Sequence, residues 1–150
     1  MAWWVWLLIA LAVVAVIAAL VAWLRGRSRA KAAWAEATGR AVRDGKVITD
    51  QALTAQSDQE PTLQRQLQGL DATLASLQSS APSEELQQQV YQVRGVAAEL
   101  SAAIQTDLRV RIGPPSPTDD QLQASHAQIV QRARDLDGAL DRLSLATAQR

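Results

Sequence analysis

The sequence contains no cysteine, no phenylalanine and no asparagine, and it has one histidine and one tyrosine. Without cysteine the chain has no disulfide, no thiolate metal site and no cysteine nucleophile. A single histidine falls short of the three or four nitrogen, sulfur or oxygen ligands of an ordinary zinc site. The sequence also has no glycine-rich phosphate loop and no G-x-S-x-G or H-E-x-x-H motif. We therefore expect no metal, no cofactor and no enzymatic activity.

Arginine outnumbers lysine thirteen to two, and alanine is abundant. This composition is typical of a protein encoded by a high-GC bacterial genome. The net charge is zero, but residues 1–46 carry seven basic and two acidic side chains, whereas residues 47–150 carry eight basic and thirteen acidic ones. Because phosphate binding needs a basic face, the mildly acidic body argues against nucleic acid as a partner.

One long apolar run, from Trp3 to Leu24, contains no charged residue. As a helix it would be about 33 Å long, which is enough to cross a hydrocarbon core of ~30 Å. Indole side chains favour the membrane interface, and tryptophan occurs at both ends of the run. The run predicts a single transmembrane helix at 3–24 in the lipid bilayer, after a short tail at 1–2, with interfacial anchors Trp3, Trp4, Trp6 and Trp23.

The flanks of the run predict an uncleaved anchor and its orientation. A secretory signal has a basic region before its apolar core and a small-residue cleavage site after it, but this run ends in Trp23-Leu24-Arg25. Positive residues stay in the cytoplasm, and four of them follow the run. We expect the amino terminus outside and the body inside a bacterial inner membrane. The topology residues, which are also candidates for binding anionic lipid headgroups, are Arg25, Arg27, Arg29 and Lys31.

Residues 25–56 are predicted to form this basic neck and a first soluble helix, Ser28–Gln56. Arg40 and Arg43 extend the candidate headgroup site, and Trp34 is a candidate for the interface. Gly39 and Gly45 each weaken the helix by about 1 kcal/mol relative to alanine, so a kink near either is plausible. The sequence leaves open whether this helix docks on the body or forms a stalk.

Apolar residues at alternating spacings of four and three predict helices at about 61–79, 84–111 and 117–148. Short connections make neighbouring helices antiparallel. The expected fold is therefore all-α, with the transmembrane helix followed by an up-and-down, coiled-coil-like bundle of three to four helices at 57–150. Its narrow alanine layers leave little room for a ligand cavity of several hundred Å³.

Two groups of polar residues in the last helix have a structural and a functional interpretation. His126 falls on the apolar stripe, which favours a buried residue that fixes helix register over a pH sensor, a metal ligand or a catalytic group. The acidic residues after it favour a solvated, ion-paired face, with Arg132–Asp135 and Arg134–Asp137 as i,i+3 pairs.

The heptad patterns and the lack of a catalytic set favour a membrane-tethered scaffold that associates with protein partners or with itself through helices. Small residues inside the anchor, Ala15 with Ala19 and Ala18 with Ala22, have a spacing that allows two helices to approach closely, although alanine is also common filler. The layout resembles that of bacterial single-pass scaffold proteins such as septation-ring regulators. The alternative is a membrane-proximal sensor bundle that faces outward and binds a small ligand between its helices.

Overall fold

The structure is a computed structural model that describes residues 3–54, 60–113 and 116–149. For residues 3–28 and Glu60 it describes the backbone alone, except at Val16 and Ala19. These ranges contain no strand, which confirms the prediction of an all-helical chain. The ends of the last three helices lie within two residues of those that the sequence predicts. The helices are α1 Trp3–Thr54, α2 Glu60–Ser79, α3 Glu84–Ile112 and α4 Asp119–Ala148.

The chain divides into two compact units, residues 1–33 and 34–150. In the first unit Arg29 and Lys31 are exposed. Among the described residues, no helix has a stretch that is both long and apolar enough to cross a bilayer. The predicted anchor at 3–24 lies almost wholly outside the described side chains, as do Arg25 and Arg27 and the anchor tryptophans Trp3, Trp4, Trp6 and Trp23.

The second unit is a helical bundle in which adjacent helices run antiparallel. α3 packs against both α2 and α4. Asp71 of α2 contacts Arg94 of α3, and Leu67, which precedes Asp71, lines a groove with Ser101, which follows Arg94. Glu99 of α3 contacts Arg132 of α4, and farther along α3 Val110 lines an opening with Gln121 near the start of α4. In both pairs, later residues of one helix lie beside earlier residues of the other. The bundle therefore has the up-and-down order that the short connections predict.

The core of the bundle is built from the alternating apolar residues of all four helices. Leucine predominates, and α1 contributes smaller residues together with one tryptophan. Burying a leucine or valine side chain stabilises a fold by about 1.5–3 kcal/mol, so these stripes supply most of the driving force. The fully buried apolar residues are Leu74, Val90, Leu100, Ile104, Ala133, Leu136, Leu140 and Leu143.

Helix caps fix where α3 and α4 begin. Ser83 accepts a hydrogen bond from the backbone N–H of Leu86 at its Oγ, and acidic residues follow in the first turn. Thr118 and Gln121 form a reciprocal capping box at the start of α4. Such caps satisfy N–H groups that have no partner inside the helix, and each typically contributes about 1 kcal/mol.

The prediction that His126 lies in the core stripe of α4 is wrong. His126 is exposed, and Ser125 is buried with 8% of its surface accessible. Position 125 is three residues after Leu122 and position 126 is four residues after it. Both spacings return to the same face of a helix, so the pattern alone does not decide which of the two is buried. The small hydroxyl of Ser125 fits between the helices, whereas the imidazole remains in solvent.

Candidate functional site

The bundle part of α1 docks on α4 through a glycine. A Cβ atom added at Gly45 would lie 2.7 Å from Cδ1 of Leu140, which is closer than side-chain atoms approach each other. α1 is helical at both Gly39 and Gly45. At Gly45, which the sequence suggests as a weak point, the backbone of α1 therefore lies directly against Leu140 of α4.

Ion pairs beside Gly45 hold the same two helices together. Lys46 Nζ lies 2.6 Å from Oδ1 of Asp141 and 3.7 Å from Oδ1 of Asp137. The hydrogen bond to Asp141 is the largest cause that raises the pKa of the Lys46 ammonium, and the negative charge of Asp137 adds to it against a smaller opposing effect of burial. Asp137 thus contacts another helix, whereas the sequence predicts a partner at Arg134.

Trp34 lies in the bundle core, so the interpretation of this residue as an interfacial tryptophan is wrong. Its side chain is 6% exposed, and its Nε1 donates a hydrogen bond of 2.9 Å to the carbonyl oxygen of Leu77. Arg40, a candidate headgroup residue, lies 3.6 Å from Glu36 in an exposed i,i+4 pair. The described candidate headgroup residues without such a pair are Arg29, Lys31 and Arg43.

Two further interhelical pairs join α3 to its neighbours. The Arg94 guanidinium donates hydrogen bonds to both carboxylate oxygens of Asp71 and to Oε1 of Gln78. The hydrogen bond to Asp71 raises the pKa of Arg94 above its ordinary value. Arg132 contacts Glu99 at 2.8 Å and also Asp135 at 3.4 Å, so the predicted pair Arg132–Asp135 is present.

An open groove of about 430 Å³ lies between α1 and α2. Its floor consists of buried apolar side chains, and its rim includes the half-exposed Val47 and the acidic Asp44. A Cβ atom at Gly69 would meet no atom within 4 Å, so this glycine leaves the groove open. We call this feature the α1–α2 groove, and its lining is Ala41, Asp44, Val47, Ile48, Gln66, Gly69, Leu70 and Thr73.

A second opening of about 460 Å³ lies where the end of α3 meets the start of α4. Both openings lie on the surface of the bundle and are open to solvent, so they do not test the expectation that its packed layers leave little room for a ligand cavity. We call this feature the α3–α4 cleft, and its lining is Thr106, Arg109, Val110, Gly113, Pro117, Gln121, Ala124, Ser125 and Gln128.

Buried polar groups occur close to this cleft. Asp107 of α3 is fully buried and forms an ion pair with Arg111 one helical turn later. Ser125 of α4 is buried, and among the described residues its Oγ has no hydrogen-bond partner. Asp107 follows Ile104 at the spacing where the heptad repeat expects an apolar side chain, and Ser125 stands next to the position that the repeat assigns to the core. The apolar pattern therefore predicts neither as a buried polar residue.

Comparison of the chain with protein-family models, with curated proteins and with solved structures finds no match.

Proposed function

We propose that this protein is a single-pass, membrane-anchored helical scaffold of a bacterial inner membrane, with its amino terminus outside and its bundle in the cytoplasm. The apolar run at 3–24, its terminal tryptophans and the cationic residues after it support the anchor and its orientation. Arg29 and Lys31 are exposed, which suits contact with anionic headgroups at about 1 kcal/mol per cation.

The α1–α2 groove is the observation that carries the scaffold function. Ala41, Ile48 and Leu70 give it an apolar floor, and the exposed Val47 stands on its rim. A partner helix that lays an apolar stripe into such a groove would bury this surface, in the manner of other helix-in-groove complexes. Association through this groove, with a second copy or with another protein, is the proposed mechanism.

Gly69 gives the groove its depth without serving the packing of the chain itself. A glycine inside a helix lowers its stability by about 0.5–1 kcal/mol relative to alanine, yet no atom of the bundle lies where its Cβ would be. The space it leaves suits the close approach of another helix.

Carbonate-washed membrane vesicles test the anchor. The full chain should remain with the membrane, whereas a variant with Ile17→Arg and Val13→Arg should be released, because each arginine at the centre of a spanning helix opposes insertion by about 2.5–3.5 kcal/mol. Recovery of the wild-type chain in the wash would contradict the proposal.

The lack of cysteine allows a clean test of orientation. The single-cysteine variants Ala2→Cys and Gln149→Cys are treated with a membrane-impermeant maleimide on intact spheroplasts and after lysis. We expect Ala2→Cys to react in both conditions and Gln149→Cys only after lysis. The reverse pattern would exclude a cytoplasmic bundle.

The groove is tested with two matched glycine substitutions. Gly69→Leu fills the α1–α2 groove, and Gly95→Leu places the same side chain on an exposed position of α3 with equally open surroundings. Cross-linking of the full chain in membranes should detect association that Gly69→Leu abolishes and Gly95→Leu preserves. Equal effects of the two substitutions, or no association of the wild type, would contradict the mechanism.

The alternative, an outward-facing sensor bundle, is favoured by one observation. The α3–α4 cleft has a volume in the range of small-molecule sites, about 300–1,000 Å³. The cysteine-labelling pattern separates this alternative from the cytoplasmic scaffold, since it requires Gln149→Cys to react on intact spheroplasts.

A further inference from the structure

The α3–α4 cleft contains a cation that the bundle leaves without a counter-charge. Arg109 lies in the last turn of α3 and lines the cleft. Within the described part of the chain, the hydrogen bonds and ion pairs include none made by its guanidinium, whereas Arg94 and Arg132 each contact a carboxylate. Among the same residues the exposed Arg134 of α4 has no ion pair either, so what distinguishes Arg109 is its position in the wall of a cleft. The planar fork of an arginine matches a carboxylate or a phosphate through two parallel hydrogen bonds.

Ser125 adds an independent indication that the cleft receives a polar group. The residue is more than nine-tenths buried and lines the cleft, and its hydroxyl has no partner among the described residues. A buried hydroxyl without a hydrogen bond destabilises a protein by about 1–3 kcal/mol. Its Oγ has less than 1 Å² of accessible surface, so a ligand on the floor of the cleft gives this hydroxyl its partner only when a neighbouring side chain moves aside.

The other walls of the cleft define the rest of the ligand. Val110, Pro117 and Ala124 form an apolar surface, and the exposed Gln128 offers a side-chain amide. Such a mixture suits a molecule with an apolar body and one or two polar ends, because apolar walls supply contact area and the few polar groups fix orientation.

We propose that the α3–α4 cleft binds a small organic carboxylate, whose carboxylate pairs with Arg109 while its apolar body lies against Val110 and Ala124. The site does not depend on the anchor or on the side of the membrane that the bundle faces. Asp119 and Asp120 begin α4 just before Gln121 of the cleft lining. Their negative charges oppose a doubly charged phosphate more strongly than a singly charged carboxylate.

Titration of the full chain in non-ionic detergent with sodium benzoate tests this proposal by NMR. Gly113 lines the cleft and its backbone N–H donates a hydrogen bond to the carbonyl oxygen of Arg109, so the resonance of this N–H is a local reporter. We expect a saturable shift of this resonance with benzoate. Benzyl alcohol, which has the same ring without the charge, and inorganic phosphate should bind at least tenfold more weakly.

Three substitutions assign the binding to the cleft. Arg109→Gln should weaken benzoate binding at least about tenfold, since it removes a charge-assisted hydrogen bond. Ala124→Leu should abolish binding by filling the cleft, and because Ala124 is exposed the bundle should keep its fold. Arg134→Gln, at an exposed arginine of α4 outside the cleft lining, is the matched control and should bind as the wild type does.

Ser125→Ala distinguishes a ligand contact from a merely structural serine. It removes a buried hydroxyl that lacks a partner, so the free protein should be equally stable or more stable while benzoate binding weakens severalfold. The proposal is overturned if benzoate causes no saturable shift, if phosphate binds as well as benzoate, or if Arg109→Gln and Arg134→Gln behave alike.

Discussion

The indole Nε1 of Trp34 donates a hydrogen bond to the carbonyl oxygen of Leu77, which lies 43 residues later in the chain. Leu77 is in the last turn of α2, where carbonyl oxygens have no partner inside the helix. One buried side chain of α1 thus completes the end of α2 and fixes the position of α1 along its neighbour. A residue that the sequence suggests as a lipid contact is instead part of the bundle core.

Replacement of Trp34 should destabilise the bundle in two steps. Trp34→Phe keeps a ring but loses the hydrogen bond, and we expect a loss of about 1–2 kcal/mol in the free energy of unfolding. Trp34→Ala also leaves a cavity, and a loss of about 3–5 kcal/mol is expected. Urea unfolding of the full chain in detergent, followed by circular dichroism, measures both. Tyr91→Phe, at an exposed aromatic residue, should change the value by less than about 0.5 kcal/mol.

Alanine in place of glycine should have opposite effects at two positions. Gly45→Ala drives a methyl group into the buried Leu140, and overpacking of this kind destabilises by about 1–3 kcal/mol. Gly95→Ala meets no atom within 4 Å and should stabilise α3 by about 0.5–1 kcal/mol.

A double variant shows whether Leu140 is the cause. In a chain that already carries Leu140→Ala, the substitution Gly45→Ala should no longer destabilise and should resemble Gly95→Ala. Unfolding free energies of the four combinations give the coupling between the two positions directly. If Gly45→Ala still lowers the free energy of unfolding in a chain that carries Leu140→Ala, a contact other than Leu140 is the cause.

The contribution of Lys46 to stability should disappear only at strongly alkaline pH. Its pKa is raised above the ordinary value of 10.5, mainly by the hydrogen bond to Asp141, so folding favours the protonated form. The contribution of the Lys46 ammonium to the free energy of unfolding is therefore fully present below pH 10.5. It is lost as the pH rises through the higher pKa of the folded state. The difference in unfolding free energy between the wild type and Lys46→Met should be constant from neutral pH to about 10 and then shrink. If this difference in unfolding free energy grows with pH instead, folding does not raise the pKa of Lys46.

Arg94→Lys should weaken the joint between α2 and α3. A lysine cannot make the two parallel hydrogen bonds to Asp71 and at the same time reach Gln78. Because both side chains are partly exposed, the expected loss is only about 0.5–1 kcal/mol. Arg134→Lys on α4 is the control for the change of residue type and should have no measurable effect on urea unfolding.

The sequence predicts α2, α3 and α4 well because leucine at alternating spacings of four and three has one simple explanation, a helix with a buried stripe. Leu63, Leu67, Leu70, Leu74 and Leu77 are all buried. A large apolar side chain at every turn leaves little ambiguity about whether the segment is a helix and how long it is.

The docking of α1 could not be predicted in the same way. Its buried face includes Thr38, Ala41, Gly45 and Thr49, which are small or polar residues that a hydrophobic pattern does not weight. The hydroxyl groups of Thr38 and Thr49 each donate to a carbonyl one turn earlier, so both are satisfied within α1. The backbone of α1 lies close to α4 at Gly45, so packing there does not need a large side chain from α1. This becomes visible only from the position of Leu140 in the structure.

Neither the α1–α2 groove nor the α3–α4 cleft has a signature in the sequence. A cleft depends on which side chains are absent from a meeting point of two helices, and the glycine and alanine that leave the space are unremarkable in an alanine-rich chain. Arg109 is predictable as a favourable charge at the end of α3. That it lacks a carboxylate partner follows only from the positions of its neighbours.

The contact between Gly45 and Leu140 also bears on how the chain is made. Ninety-five residues separate the two positions, so at a synthesis rate of about 5–20 residues per second the surface of α1 around Gly45 waits for roughly 5–19 seconds before Leu140 is synthesised. During that interval α2 and α3 can already pair through their short turn, but the face of α1 around Gly45 has no native cover. Nascent chains that stall before Leu140 would therefore be the form of this protein most in need of a chaperone.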